Sequence, residues 1–134
     1  MEVFFHGGIS FEPYREQYKA LIPSDKMHYM ETYNASEGFF GIQDDPADQS
    51  LLLMQDYGVF YEFIPMSEVG MPNPTILSLE AVETGKNYAM VITTSGGLWR
   101  YQIGDTVRFT SLFPHKFVIS GRTKHYINAC NFFI

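Results

Sequence analysis

Apolar and polar positions along the chain first follow a helical period and then a strand period. Val3-Phe4-Phe5 is a short continuous apolar run that meets Gly7-Gly8, which predicts a buried strand over residues 2–6 stopped by glycine. Phe11, Tyr14, Tyr18 and Leu21 then recur at three- and four-residue spacing. Ser10 supplies a cap for this helix, Glu12 and Pro13 suit its first turn, and Pro23 ends it. Residues 26–33 read as a strand rich in tyrosine and methionine. From there on the pattern is β. Residues 51–55 and 59–64 flank Asp56-Tyr57-Gly58, and residues 78–83 and 88–94 flank Thr84-Gly85-Lys86-Asn87; both read as hairpins. Residues 100–103, 106–111 and 116–120 are further short strands, broken by Gly104-Asp105 and by Pro114. Residues 66–74, with two prolines and Gly70, form a loop. The expected fold class is α/β to α+β and β-rich: one strand–helix–strand unit followed by a curled, antiparallel, barrel-like sheet.

Composition narrows the classes of function. At 134 residues the chain is one domain or a piece of one, and 46% hydrophobic with 16% aromatic residues describes a packed core. Nine Lys and Arg against fifteen Asp and Glu give a formal charge of −6, the opposite of the basic footprint a nucleic-acid surface needs. Cys130 stands alone, which excludes an internal disulfide and fits a reducing compartment. Met1-Glu2-Val3-Phe4-Phe5 has neither the basic start nor the apolar length of a signal peptide. The aliphatic run at 51–54 is too short to span a bilayer. A soluble cytoplasmic protein without nucleic-acid or membrane partners is the expectation. His6, His28, His115 and His125 lack the spacing of a zinc site, and Met27, Met30, Met54 and Met66 among aromatics read as core filler.

Three runs carry candidate chemistry. In Tyr33-Asn34-Ala35-Ser36-Glu37, a strand ending in small residues exposes backbone N–H groups. Ser36 offers a hydroxyl to phosphate, Glu37 a hard oxygen to Mg²⁺, and Tyr33 a ring face to a purine. The bland alternative is a strand end with a polar turn. In the run from Gly96 to Asp105, Gly104 permits a tight bend and Asp105 follows it; one carboxylate can accept two hydrogen bonds from the vicinal hydroxyls of a ribose. An ordinary Gly-Asp hairpin turn is the alternative, with Arg100 and Arg108 as solvated strand charges or Arg100 paired with Glu62. In Ser120-Gly121-Arg122-Thr123-Lys124-His125, Arg122 can reach ribose or phosphate as a bidentate donor, and Lys124 and His125 read as polar linker residues. The chain contains neither a phosphate-cradling loop nor a nucleophile elbow, and no residue in it reads as catalytic.

Taken together these motifs are similar to the auxin-responsive Gretchen Hagen-3 family of acyl-acid amido synthetases, within the adenylate-forming superfamily. His6-Gly7-Gly8-Ile9-Ser10-Phe11-Glu12-Pro13-Tyr14-Arg15 resembles the family's glycine pair and following helix. Tyr33 to Glu37 resembles its second nucleotide motif, Leu98 to Val107 its third, and Gly121 to Ala129 its hinge. The resemblance implies a two-step ligase using ATP and Mg²⁺, in which a carboxylic acid is adenylated and an amino acid amine then displaces AMP. Tyr33 would flank adenine, Ser36 would approach the α-phosphate and Glu37 would hold Mg²⁺. Asp105 would take the ribose hydroxyls with Arg122 beside them, and Gly7-Gly8 would let backbone approach the adenylate closely.

On the same resemblance, residues 1–129 are the C-terminal part of the large adenylate-forming domain and residues 130–134 a divergent tail. The family's phosphate loop would precede residue 1, and its small C-terminal domain, with a lysine that assists adenylation, would follow. The expectation is a fragment that lacks these N- and C-terminal partners and is inactive alone. The rival readings are an acyl-CoA ligase of the same superfamily, in which a thiol replaces the amine, a non-catalytic nucleotide- or acid-binding module, and a plain structural β-domain.

Overall fold

The computed structural model describes residues 2–8 and 11–123. Its elements are β1 (Val3–Gly7), a 3-10 turn (Glu12–Tyr14) running into α1 (Arg15–Leu21), β2 (His28–Ala35), β3 (Gly38–Ile42), β4 (Leu51–Leu53), β5 (Val59–Pro65), β6 (Leu77–Ser78), β7 (Asn87–Thr94), β8 (Tyr101–Leu112) and β9 (His115–Arg122). All nine strands form one sheet in the order β1-β2-β3-β4-β9-β8-β7-β5-β6. β1 and β2 run parallel, in the register His6 opposite Glu31, and the other neighbours are antiparallel. Parallel neighbours need a crossover, and α1 provides it. The strand–helix–strand unit read from the sequence is therefore present. Phe11 and Tyr18 pack on Phe4 of β1, with ring centroids 6.3 and 5.0 Å away. The rest of the helical stripe goes unused, since Leu21 is 77% exposed.

The core lines one face of the sheet. Phe40, Phe63, Phe109 and Phe117 are each at most 1% exposed, and burying such a side chain stabilises by about 1.5–3 kcal/mol. Phe40 of β3 and Tyr61 of β5 meet edge to face at 6.4 Å, although four strands lie between them in the sheet order. Only strong curling brings them together. The curl matches the barrel-like expectation, but the sheet is not closed: no ladder joins β5 or β6 back to β1–β4. At Gly41 a Cβ would lie 2.9 Å from the Phe117 ring, so the absence of a side chain there is what lets β3 approach the core.

Both expected hairpins are replaced by crossings. Gly58 (φ +74°) does turn the chain after residue 55, but β4 pairs with β3 and β9 while β5 pairs with β6 and β7. The segment is tied to β5 by the Tyr61 hydroxyl donating to the Met54 carbonyl at 3.0 Å. Before β7, residues 79–81 wind into a 3-10 turn and only Leu77 and Ser78 form a strand, paired with β5. The Tyr88 hydroxyl accepts from the Glu83 backbone N–H at 3.0 Å, so a side chain there stands in for the missing ladder. Residues 100–111 are not split at Gly104; β8 runs through it with an irregular register on both sides. Among the described residues no helix is long and apolar enough to cross a membrane.

Candidate functional site

Period two along β2 sends Tyr29, Glu31 and Tyr33 to the same face, the one that carries α1 and the core. Tyr33 is 6% exposed, its ring packed against Phe40 at 5.1 Å and Phe117 at 6.1 Å. Only its hydroxyl end reaches toward polar groups. It donates to Asp105 Oδ2 at 2.5 Å. Asp105 is presented by the irregularity at Gly104, whose φ of +91° lies in the region glycine tolerates. The bend is held from the next strand, because the Thr123 N–H donates to the Gly104 carbonyl at 2.8 Å. Directly opposite Asp105 in the β8–β9 ladder stands Arg122, and its Nε donates to Asp105 Oδ1 at 2.8 Å.

Asp105 is thus gripped from both sides, with a side chain only 14% exposed against 61% for Arg122. A carboxylate has about four lone-pair positions, so two partners leave acceptor capacity for a ligand. Burial pushes the Tyr33 phenol well above its ordinary pKa of 10.0, the hydrogen bond and charge of Asp105 add to this, and Arg122 opposes it. The proton therefore stays on Tyr33, and Asp105 acts as the acceptor.

These three residues line a pocket of about 730 Å³ together with Gly8, His6, Phe11, Arg15, Tyr29 and Glu31. Within this lining the His6 ring stacks on Phe11 at 4.1 Å and 14°, Tyr29 packs on Phe11 at 5.2 Å and 29°, and the Arg15 guanidinium lies 5.4 Å from the Phe11 centroid. Desolvation, then the nearby Arg15 charge, lowers the His6 pKa, so the imidazole is neutral. Its Nδ1 and the Tyr29 hydroxyl are buried without a hydrogen-bond partner.

The residues singled out from the sequence fall into two groups. Tyr33, Asp105, Arg122 and Gly8 meet at the pocket. Gly7 sits one residue back, where a Cβ would be 2.7 Å from the Thr32 carbonyl, so its role is close β1–β2 packing. Ser36 and Glu37 occupy the turn between β2 and β3, beside the pocket wall rather than in it. Glu37 is near enough for its charge to raise the Tyr33 pKa. Arg100 pairs with Glu62 through bonds of 3.0 and 2.7 Å, the structural alternative for that residue. Lys124, His125, Cys130 and the expected tail lie outside the described residues. Among the described residues no group of three or more His, Cys, Asp or Glu side chains is placed to hold a metal. Tyr29 and Glu31 were absent from the sequence-based site, although their alternation with Tyr33 would have placed them on its face.

A curled, mostly antiparallel sheet with a parallel edge unit, and a pocket where β2 meets β8 and β9, defines the class of domain. The model of the GH3 family central domain matches residues 52–122, and the chain belongs to the GH3 family. It is 31% identical over 118 residues to the indole-3-acetic acid-amido synthetase GH3.4 of Arabidopsis thaliana, covering 82% of this chain and 19% of that protein. It is 38% identical over 85 residues to GH3.8, an enzyme of the same description from Oryza sativa subsp. indica, covering 58% of this chain and 14% of that one. Among solved structures the GH3.15 acyl acid amido synthetase superposes with a TM-score of 0.61 at 28% identity, over 81% of this chain and 20% of that one. The chain spans about a fifth or less of the length of these relatives.

Proposed function

We propose that the chain supplies the adenosine-binding part of an ATP-dependent acyl-acid amido synthetase, which adenylates a carboxylic acid and then joins it to an amino acid amine. One observation carries this reading: Asp105, held by Tyr33 and Arg122, faces an open pocket of about 730 Å³ with lone pairs to spare. Two vicinal hydroxyls are the ligand chemistry that such a carboxylate accepts. Membership of a family whose named relatives are amido synthetases supports the amide-forming outcome.

In this reading Asp105 receives the ribose, Arg122 borders it, and Tyr33 orients Asp105 through its hydroxyl; the ring face expected to flank adenine is instead buried against Phe40 and Phe117. Gly8, at φ +87° with nothing within 4 Å of a notional Cβ, leaves backbone open to the adenylate, and Gly7 keeps β1 tight against β2. Ser36 and Glu37 meet the phosphates from the β2–β3 turn. A single carboxylate is a fitting donor for Mg²⁺, which binds through one or two carboxylates plus substrate phosphates and keeps several waters. In this reading the ion arrives with the nucleotide; among the described residues no group of three or more His, Cys, Asp or Glu is placed to hold it beforehand. Reaction by adenylation depends on positioning and on neutralising phosphate charge. A cytoplasmic location belongs to the same proposal and rests on the single cysteine.

Calorimetry of the 134-residue chain with ATP and Mg²⁺, and with AMP, tests the reading. Saturable binding of both is expected, weakened at least tenfold by Asp105→Ala. Absence of binding to the unmodified chain, or unchanged affinity in the variant, overturns it.

A further inference from the structure

Between β3 and β4 the chain forms a short loop, residues 43–50, that lines the pocket through Gln43, Pro46 and Gln49. Both ends of the loop are fixed. Gln43 is buried; its N–H donates to the Glu31 carbonyl at 2.8 Å, and its Oε1 accepts from the Glu31 N–H at 2.9 Å. Ser50, also buried, accepts from Thr110 Oγ1 of β8 at 2.9 Å. Between these anchors the chain crowds Asp44, Asp45 and Asp48 together. Asp45 and Asp48 each accept a backbone N–H from two residues further on, Ala47 at 2.8 Å and Ser50 at 2.9 Å, so they shape the loop locally. Among the described residues, Lys116 is the one strand side chain that hydrogen-bonds this middle stretch. Its Nζ donates to Asp44 Oδ1 at 2.8 Å and to Asp48 Oδ2 at 3.4 Å.

Lys116 stands on β9 between Leu52 of β4 and Ser111 of β8, so ladders on both sides fix its backbone. Its side chain is 15% exposed, against 41% and 42% for its two partners. An ammonium covered to that extent is tolerated when it is paired, and without it the clustered carboxylates repel one another. Asp44 raises the Lys116 pKa, and the Ser50 hydrogen bonds, followed by Lys116, lower that of Asp48; the ion pairs therefore persist through neutral pH. Lys116, Asp44 and Asp48 do not themselves line the pocket. Arg15, Tyr29 and Pro46 line both it and a neighbouring cavity of about 560 Å³, so the loop helps to divide two open volumes. A wall already in place loses little freedom when a ligand binds, whereas a loose one is ordered at the ligand's expense. We propose that Lys116 is a positioning residue, which latches residues 44–49 as a preformed wall of the pocket and acts on the ligand through Pro46 and Gln49. That the ligand is an adenosine phosphate rests on the reading above; the latch does not.

The test pairs calorimetry with AMP and amide hydrogen exchange on the 134-residue chain. Lys116→Met keeps the apolar stem and deletes the ammonium. It should weaken AMP at least fivefold and speed exchange at Ala47 and Ser50 at least tenfold beyond any change along β7. Lys116→Arg, which still donates to both carboxylates, should recover most of both losses. Should Lys116→Met fail to fold, Asp44→Asn, at the more exposed end of the latch, gives the same two readouts with smaller changes. A lysine that only stabilises the fold would lower the urea midpoint while the folded chain kept its AMP affinity and its loop protection. That result overturns the proposal, as does an equal loss in Lys116→Arg and Lys116→Met. If the unmodified chain binds no AMP, the adenosine reading falls and exchange alone decides the latch, unchanged rates at Ala47 and Ser50 removing it. Faster loop exchange with unchanged AMP affinity also overturns the proposal, and leaves the adenosine reading standing.

Discussion

The Tyr33 hydroxyl and the Asp105 carboxylate are bonded at 2.5 Å across 72 residues of sequence, joining β2 to β8, strands that are not neighbours in the sheet. The bond bridges the curl of the sheet beside the pocket that both residues line. It therefore belongs both to the packing of the core, through the Tyr33 ring, and to the candidate site, through Asp105.

Tyr33→Phe keeps the ring and deletes the donor. A hydrogen bond to a charged group contributes about 1.5–3 kcal/mol, so a loss near the lower end of that range is expected in urea unfolding at neutral pH. The alkaline limb separates this from a packing defect. Folded Tyr33 holds its proton more tightly than unfolded Tyr33, because its pKa is raised from 10.0. Its contribution is therefore complete below pH 10.0 and falls as pH rises beyond it. The gap between wild type and variant should narrow above that pH. In the wild type, absorbance near 295 nm should show Tyr33 ionising later than an ordinary phenol, together with Tyr61, whose pKa burial also raises.

Gly7 and Gly8 should respond to substitution for different reasons. An added Cβ at Gly7 would lie 2.7 Å from the Thr32 carbonyl and 2.8 Å from its Oγ1, so Gly7→Ala forces β1 away from β2 and should cost about 1–3 kcal/mol. Gly8 has space, but its φ of +87° disfavours a side chain; Gly8→Ala should cost about 1–2 kcal/mol. Gly8→Asn should recover part of that, because asparagine tolerates positive φ, whereas Gly7→Asn should be worse than Gly7→Ala. Thermal unfolding of the four variants checks the order.

Arg100→Ala tests the ion pair on the other face. Glu62 is 8% exposed as a residue, and Arg100 holds it bidentately. Removing the cation strands a buried carboxylate, though the 57% exposure of the arginine side chain softens the penalty. A loss of stability, read in urea unfolding, is expected, and Glu62→Gln in the same background should restore most of it. Nucleotide affinity measured by calorimetry should not change, since neither residue lines the pocket.

What the sequence made legible depended on whether the signal was local. β1, α1 and β2 follow from apolar spacing and from the stops at Gly7-Gly8 and Pro23, and the structure has them in parallel register. Gly58 and Gly85 do turn the chain, both at positive φ. The inference from turn to hairpin failed because a turn sets direction but not partner. Leu51 and Leu53 found β3 and β9 through core burial, and Tyr61 found the Met54 carbonyl, all contacts set by the curl. Asp105 and Arg122 were legible one by one; their position opposite each other needed the β8–β9 register. Glu31 shares the face of Tyr33 only through the alternation along β2, which lies behind the strand end where the small residues gather.

Glu37 is where position and proposed role are furthest apart, and its variant separates nucleoside from phosphate binding. It sits in the β2–β3 turn outside the pocket lining, yet its charge reaches Tyr33. If its part is to hold an ion that bridges phosphates, Glu37→Ala should leave adenosine affinity unchanged and weaken ATP with Mg²⁺ by about tenfold, a typical cost for losing one carboxylate contact to a hydrated ion (about 1.4 kcal/mol). Removing Mg²⁺ with EDTA should erase the difference between wild type and variant. Without the ion, wild-type Glu37 repels the phosphates, so Glu37→Ala should bind metal-free ATP at least as tightly as wild type does. Calorimetry with adenosine, ATP and ATP with Mg²⁺ reads all three comparisons. A uniform loss across them would instead mean that the variant had disturbed the β2–β3 turn and, through it, the Tyr33–Asp105 bond.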